Sequence, residues 1–278
     1  MYLTRHLSTN GPRWALDGGF LPPGFSLELL LQLPRAGIEG FLRALPRAGA
    51  MNGTLLPPLE AGHEVWAAGV TYLRSREARE VESSVKDVYS RVYEAERPEL
   101  FFKAIGWRVT GHRMPIRVRE DSHWNVPEPE LTLVINSDRE IVGFSAGNDV
   151  SSRDIEGDNP LYLPQAKVYE GSCALGPGIV LSEVDRLRDL SIQAEVRREG
   201  RVIFKGETRT SQMKRPFEEL VVCLGRELDF PRGVFLMTGT GIVPPQDFSL
   251  VGGDLVRITM GSLTLENEVD TRPRASQP

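Results

Sequence analysis

The stretch NVPEPELTLVINSDREIVGFSAGNDV, residues 125–150, constrains this chain more than any other. Two apolar runs flank the turn "SDRE", the pattern of a β-hairpin. Glu128 and Glu130 stand two apart and therefore point to one face of a strand. With a four-residue loop from Ser137 to Glu140, closed by Asn136 opposite Ile141, Glu128 falls opposite Asp149. Directly opposed strand residues lie roughly 4.5–5.5 Å apart at Cα. Three carboxylates that close repel one another unless something neutralises them. Oxygen donors of this kind suit a hard divalent cation, Mg²⁺ or Mn²⁺, with open positions for water or substrate. Taken alone, Glu-Pro-Glu reads as well as a solvated turn, so the rest of the chain has to decide.

The first 58 residues read as a small N-terminal α/β module. "FSLELLLQL", with Ser26 as its cap, and "GIEGFLRAL" have helical spacing, and "GTLLPPLEAG" is a turn-rich connection. Residues 59–278 then form a larger domain. "EVWAAGVTY" has the density of a buried strand. A helix follows from Ser75 to about Glu96, with Val81, Val85, Val88 and Val92 as its apolar stripe and a charged face read as solvated. Beyond Pro98 short strand-like runs dominate, "RREGRV" marks a hairpin turn, and "KRPFEELVVCLGREL" is a further helix. The fold class is α+β, with a mainly-β larger domain.

A chain of 278 residues holds one large domain, or a small domain joined to a larger one. Its net charge of −5 provides no global basic field for nucleic acid or an anionic membrane. No apolar run reaches the roughly 18–20 residues of a membrane span, and the N-terminus lacks the apolar core of a signal peptide. Cys173 and Cys223, in apolar contexts 50 residues apart, read as core thiols of a protein kept in a reducing compartment. These features lead us to expect a cytoplasmic protein.

"VPEPELTLVI…VGFSAGNDVSSRDIEG", "QAKVYEGSCALGPGIV", "RPELFFKA" and "FLMTGTGIV…VGGDLVRITMGSLTLENEV" together resemble the fumarylacetoacetate hydrolase family, in order from about Trp66 to Val269. The resemblance implies a mixed β-roll and Mg²⁺ held by Glu128, Glu130 and Asp149. It further implies that Lys167 stands beside the metal and touches a bound 2-oxo acid. It also implies a homodimer or homotetramer.

One departure separates the branches of the family. Members that hydrolyse carbon–carbon bonds carry G-x-N-Y-x-x-H, whose histidine activates water. Here the stretch is "AAGVTYLRSREARE": Thr71 replaces the asparagine and Ser75 stands in place of the histidine. His6, His63, His112 and His123 all lie elsewhere. Glu156 also stands where hydrolases have glutamine. The sequence is similar instead to the sugar-acid dehydratase branch, which converts 2-keto-3-deoxy-pentonates such as 2-keto-3-deoxy-D-arabinonate to 2,5-dioxopentanoate.

That branch implies chelation of the substrate's carboxylate and ketone by the metal, loss of a C3 proton and departure of the C4 hydroxyl. Lys167 is the candidate for the C3 base or for enolate stabilisation, and Glu99 for the acid at the C4 hydroxyl. Thr240 and Gly239 are candidates for the substrate carboxylate, and Ser75, Arg74 and Lys103 for the sugar end. Arg153 is either a substrate contact or, with Asp154, a structural pair. The alternatives are a hydrolase or decarboxylase of an acylpyruvate and, as a third reading, a metabolite-binding module without activity.

Overall fold

The computed structural model of the chain describes residues 1–82 and 86–270. The chain opens with β1 (Tyr2–Ser8), β2 (Gly11–Leu16) and β3 (Gly19–Phe20), then α1 (Leu27–Leu30) and α2 (Arg35–Ala44). Two short strands, β4 (Ala48–Ala50) and β5 (Thr54–Leu56), lead to β6 (Glu64–Gly69), α3 (Leu73–Glu82), α4 (Lys86–Glu94) and β7 (Glu99–Ile105). The two-residue strands β8 (Ile116–Arg117) and β9 (Asn125–Val126) precede the hairpin of β10 (Pro129–Ile135) and β11 (Ile141–Asp149). Then come β12 (Ser151–Ser152), α5 (Arg153–Asp158), α6 (Leu163–Lys167) and β13 (Cys173–Leu181). The chain continues with β14 (Ser191–Arg198), β15 (Arg201–Arg209), α7 (Phe217–Leu224), β16 (Val234–Met237), β17 (Leu255–Met260) and β18 (Leu263–Asp270).

The larger sheet runs in the order β4-β3-β2-β1-β13-β11-β10-β16-β6-β7, with β5 added to β1; the second runs β15-β14-β17-β18-β8. The hairpin lies in the interior of the larger sheet, and every residue of both its strands is buried. Alternate side chains enter two cores. Leu131, Leu133 and Ile135 pack with Ile192, Val256 and Leu265 of the second sheet, while Val134 and Val142 pack with Leu27, Leu30 and Phe235. Each such side chain contributes about 1.5–3 kcal/mol. That supply matters because the hairpin's mouth buries ionised groups at an effective cost of several kcal/mol each.

The expected pairing of Glu128 with Asp149 is present, by a different route. Pro129 faces Asn148 and Glu130 faces Gly147, and the Asp149 N–H donates to the Glu128 carbonyl at 2.9 Å. The loop, however, has three residues rather than four: Asn136 N–H bonds the Glu140 carbonyl, and Arg139 turns the chain in the left-handed region at φ 65°. A bulge between Val134 and Ile135 then shifts the register back. The two departures cancel before the strands reach the carboxylates. Pro129, at the first position of its strand, lacks only a donor that the ladder does not need there. The turn in "RREGRV" is as expected, with Glu199 and Gly200 at φ 50° and 77°.

The N-terminal residues supply more strand than their sequence suggests, and β1 continues the large sheet by pairing with β13, Leu3 opposite Ile179. α1 stops after one turn. Its first N–H groups, those of Leu27 and Glu28, donate to the Glu60 carboxylate at 2.9 and 3.0 Å, so Glu60 and not Ser26 performs the capping. Ser26 donates its own hydroxyl to that carboxylate instead.

The helix expected over 75–96 is described as two, α3 and α4; Val88 and Val92 of α4 are half-buried, whereas α3 turns the reverse of the expected way. Val81 is 64 % exposed, whereas Ser75 and Arg79 are buried. Val85 lies outside the described residues. Both cysteines are free, Cys173 buried and Cys223 half-buried. Among the described residues no helix is long and apolar enough to cross a membrane.

Candidate active site

The open end of the hairpin brings one carboxylate oxygen each of Glu128, Glu130 and Asp149 within 4.8 Å of one another. All three side chains are buried. Strand alternation supplies the first two, and the cross-strand pair supplies the third. Glu128 is further fixed by its own N–H, which donates to Asn148 Oδ1 at 3.1 Å. Glu130 accepts the Gly239 N–H at 2.7 Å. Gly239 has φ 89°, and a Cβ there would stand 2.1 Å from Thr71 Oγ1, so the close approach requires glycine.

Lys167, at the end of α6, reaches into this group. Its ammonium donates to Glu128 Oε2 at 2.8 Å, Asp149 Oδ2 at 3.2 Å and Ser151 Oγ at 2.6 Å. Three acceptors for three N–H bonds require the charged form. Burial opposes that charge, but Asp149 and Glu128 more than offset it and raise the pKa above the usual lysine range. For Glu128, burial is likewise outweighed by Lys167 and Arg79, which hold its carboxyl below the ordinary range. Among the described residues Glu130 has no ion pair, and Lys167 and the Gly239 N–H pull its carboxyl down only weakly. Burial first, then Asp149 and Glu128, push its carboxyl well up.

Arg79, on the inward face of α3, was not anticipated. Its guanidinium meets Glu128 Oε1 at 2.7 Å, Glu156 Oε1 at 3.0 Å and Glu82 Oε2 at 3.3 Å. Ser75, Arg79 and Glu82 are spaced four and three apart, a polar stripe on one helix face that the sequence does display. What the sequence withholds is that this face looks into the protein. Phe101 was also missed; its ring lies 5.9 Å from the Lys167 ammonium.

Glu99, on β7, lines the same cavity as the cage, Lys167 and Thr240. It sits over Gly69, where any Cβ would meet its carboxylate at 2.0 Å. Burial, reinforced by the neighbouring Glu156, raises its pKa to about 7. Val70, beside it, is held at φ 51°, a strained position for a β-branched residue of the kind that gathers at functional sites.

The other expected residues are placed as follows. Ser75 and Thr240 line the cavity, but their hydroxyls are engaged: Ser75 donates to the Tyr72 carbonyl, and Thr240 bonds the Ile242 N–H and carbonyl. Lys103 does not line the cavity. It is wholly buried behind Asp149, in contact with that carboxylate and with the carbonyls of Val150 and Lys167. Arg153 also lies outside the lining, and it does not pair with Asp154. It faces Glu82 at 3.3 Å, Glu128 at 3.5 Å and Glu156 at 3.7 Å, while Asp154 accepts from Ser122 and His123. Both corrections have one cause. Each cation is drawn to the buried negative charge beneath the cavity rather than to the cavity itself. Arg74 is exposed. No histidine is among the described residues of the lining.

Among the described residues, six carboxyl groups (Glu82, Glu99, Glu128, Glu130, Asp149, Glu156) face four cations (Arg79, Lys103, Arg153, Lys167), a deficit of two charges when every carboxyl is ionised. The unrelieved position is Glu130, inside the cage. An all-oxygen donor set short of two positive charges fits Mg²⁺ or Mn²⁺. One other acidic group among the described residues, Glu28, Glu60 and His63, is differently committed. Glu60 there already accepts four hydrogen bonds, from Trp14, Ser26, Leu27 and Glu28.

Comparison with known proteins bears on the same residues. Residues 64–270 match the family model described as fumarylacetoacetate (FAA) hydrolase C-terminal. The chain is 50 % identical over 216 residues to a probable 2-keto-3-deoxyxylonate dehydratase of Haloferax volcanii, covering 77 % of this chain and 74 % of the relative. It is 45 % identical over 205 residues to the 2-dehydro-3-deoxy-D-arabinonate dehydratase of Saccharolobus solfataricus, covering 72 % and 69 %. A solved structure of 2-keto-3-deoxy-D-arabinonate dehydratase complexed with magnesium and 2,5-dioxopentanoate superposes with a TM-score of 0.85 at 34 % identity, over 99 % of this chain and all of that one.

Proposed function

Because the chain belongs to the fumarylacetoacetate hydrolase family, we propose that it works there as a Mg²⁺-dependent hydro-lyase of 2-keto-3-deoxy sugar acids. The reaction is the dehydration of a 2-keto-3-deoxy-pentonate, such as 2-keto-3-deoxy-D-arabinonate, to 2,5-dioxopentanoate. One observation carries the choice over carbon–carbon hydrolysis: the described cavity wall has no histidine to activate water and has instead a buried carboxyl, Glu99, poised at about 7. A carboxyl with a pKa near neutrality serves both as proton acceptor and as proton donor.

Glu128, Glu130 and Asp149 would hold the ion. When bound, Mg²⁺ supplies Lewis acidity at the substrate's C1 carboxylate and C2 ketone and so acidifies the C3 protons. Lys167, held as an ammonium ion by three acceptors, is suited to stabilising negative charge that develops on the C2 oxygen, rather than to abstracting a proton. Glu99 takes the C3 proton and returns one to the departing C4 hydroxyl, so water leaves and the carboxyl ends as it began. Elimination leaves a 3,4-ene conjugated to the C2 ketone, with C5 still an alcohol. Transfer of a proton from C5 to C3 then gives the 4,5-enol, which is protonated at C4 and loses its hydroxyl proton to become the C5 aldehyde. Thr240 and Gly239 close the carboxylate end, and Ser75 the sugar end.

The larger unit, from residue 59 onward, carries this chemistry, and the first 58 residues support its sheet. The free thiols are in keeping with a cytoplasmic location. The family resemblance implies a homodimer or homotetramer, which sedimentation velocity would read directly. To test the activity, Mg²⁺-loaded protein is assayed separately with 2-keto-3-deoxy-D-arabinonate and with an acylpyruvate, following 2,5-dioxopentanoate and pyruvate release. Turnover of the acylpyruvate alone overturns the proposal.

A further inference from the structure

Glu99 has to be held in place if it is to move protons at one substrate carbon and not another. Among the described residues its carboxylate has no hydrogen-bonded or ion-paired partner. It is the first residue of β7, the last strand of the larger sheet, a place where a glutamate ordinarily turns to water. Something other than a donor keeps this carboxyl on the cavity wall.

Directly opposite on β6, Gly69 pairs with Glu99. A glycine inside a strand weakens it and often marks a place that another group approaches closely. The backbone gives no reason for this one, since Gly69 lies outside the left-handed region. Space does. A Cβ at residue 69 would stand 2.0 Å from Glu99 Oε2, 2.6 Å from Cδ and 3.2 Å from Cγ, and these are its three nearest neighbours. The two preceding residues of the strand, Ala67 and Ala68, carry that methyl group and are buried. Residue 69 is bare, and the end of the Glu99 side chain lies in the gap.

We infer that Gly69 is the positioning residue of Glu99: the missing side chain opens a slot across β6 in which the carboxyl lies, on the cavity wall. An alanine there would disturb the fold little, because the atoms it meets form the movable end of a long side chain. The same displacement is costly to catalysis. The carboxyl would have to withdraw from 2.0 Å to about 3.4 Å, and a misplacement of roughly 1 Å in a reacting group lowers the rate about 100-fold. This kinetic consequence rests on the dehydratase reading.

The test places Gly69→Ala in the native protein and in Glu99→Ala, which lacks the atoms that the new methyl group would meet. In the native background kcat for 2-keto-3-deoxy-D-arabinonate should fall about 100-fold. Calorimetric affinities for Mg²⁺ and for 2-oxobutyrate, a ligand without a C4 hydroxyl, should stay within about twofold. In the Glu99→Ala background the substitution should change residual turnover by less than about twofold.

A second readout needs no turnover. Glu156 on α5, Lys167 on α6, Arg79 on α3 and Glu128 at the hairpin mouth all act on Glu99, in addition to burial. A carboxyl moved out of the slot toward water titrates nearer its ordinary range. The part of the stability change between pH 4.5 and pH 8 that Glu99→Gln removes from the metal-free protein should therefore shrink in Gly69→Ala. An unchanged pH dependence overturns the inference, and so does an equal loss of turnover in both backgrounds. Weakened binding of both Mg²⁺ and 2-oxobutyrate, or failure to fold in the Glu99→Ala background, also overturns it, since the glycine would then serve the strand. A native protein that dehydrates no sugar acid, with the pH effect as expected, leaves Glu99 placed by Gly69 and defeats the dehydratase reading. The two failures are thus distinct.

Discussion

Lys103 lies against Oδ1 of Asp149, and neither group touches solvent. Lys167 takes the other oxygen of the same carboxylate, and Lys103 also donates to the Lys167 carbonyl. The pair thus ties a cage residue on β11 to the end of α6. Removing one partner of a buried pair costs about 3–5 kcal/mol, because the other charge is left uncompensated. Lys103→Met should lower the urea-derived unfolding free energy by that amount; a change below about 1 kcal/mol would show that the site relaxes freely around Asp149.

Glu99 makes stability depend on pH with a sign that can be worked out. Its pKa rises from 4.5 to about 7 on folding, so between those values the native state holds more protons than the unfolded chain. Stability attributable to this group therefore falls as pH rises through that window, and the full penalty, about 3 kcal/mol, applies above it. Metal-free Glu99→Gln should accordingly be more stable than the native protein at pH 8 and indistinguishable near pH 4.5, while losing dehydratase activity. Glu82, also raised to about 7 by burial, has the same sign and is present in both proteins, so it cancels in the comparison. Unfolding curves at the two pH values decide the matter.

Lys167→Met leaves Glu128, Glu130 and Asp149 in place and removes the ammonium ion. Calorimetry should still detect Mg²⁺, whereas kcat should fall about 10²–10³-fold, the usual effect of deleting one donor to developing negative charge. Near-normal turnover would rule out the assigned role.

Gly239→Ala puts a methyl group 2.1 Å from Thr71 Oγ1 and 3.0 Å from the Ala68 carbonyl, at a φ of 89° that side chains avoid. The chain has to shift, and with it the N–H that holds Glu130. Mg²⁺ affinity should drop about 10–100-fold, as for other residues that orient a metal ligand. Unchanged affinity by calorimetry would show that Glu130 needs no such hold.

The cage was legible because it depends on two local periodicities, strand alternation and hairpin register, both of which survive translation from sequence. A four-residue loop and the observed three-residue loop lead to the same pairing at Glu128, since the Val134/Ile135 bulge compensates. Arg79 and Glu82 were illegible for a different reason. A charged stripe on a helix ordinarily faces water, and only tertiary packing reveals that α3 turns its stripe inward and leaves Val81 in solvent. The sequence marks Lys103 and Arg153 as part of the site but carries no sense of depth, so it does not distinguish a cation beneath the floor from one in the wall.

The strand order has a consequence for the time at which this site comes into being. Glu99 stands on β7 and the cage on the β10–β11 hairpin, yet β6 and β7 join that hairpin only through β16, Leu236 lying between Trp66 and Leu133. The two walls of the cavity are thus made early in synthesis, and the strand that holds them together is made late, more than 100 residues after Leu133. A nascent chain that has not yet reached Val234 carries all three cage carboxylates with no sheet to set Glu99 against them. Joining the walls requires a long loop closure, which is slow relative to forming the hairpin itself. The hairpin is the first part of the site to take shape, and the active cavity is among the last.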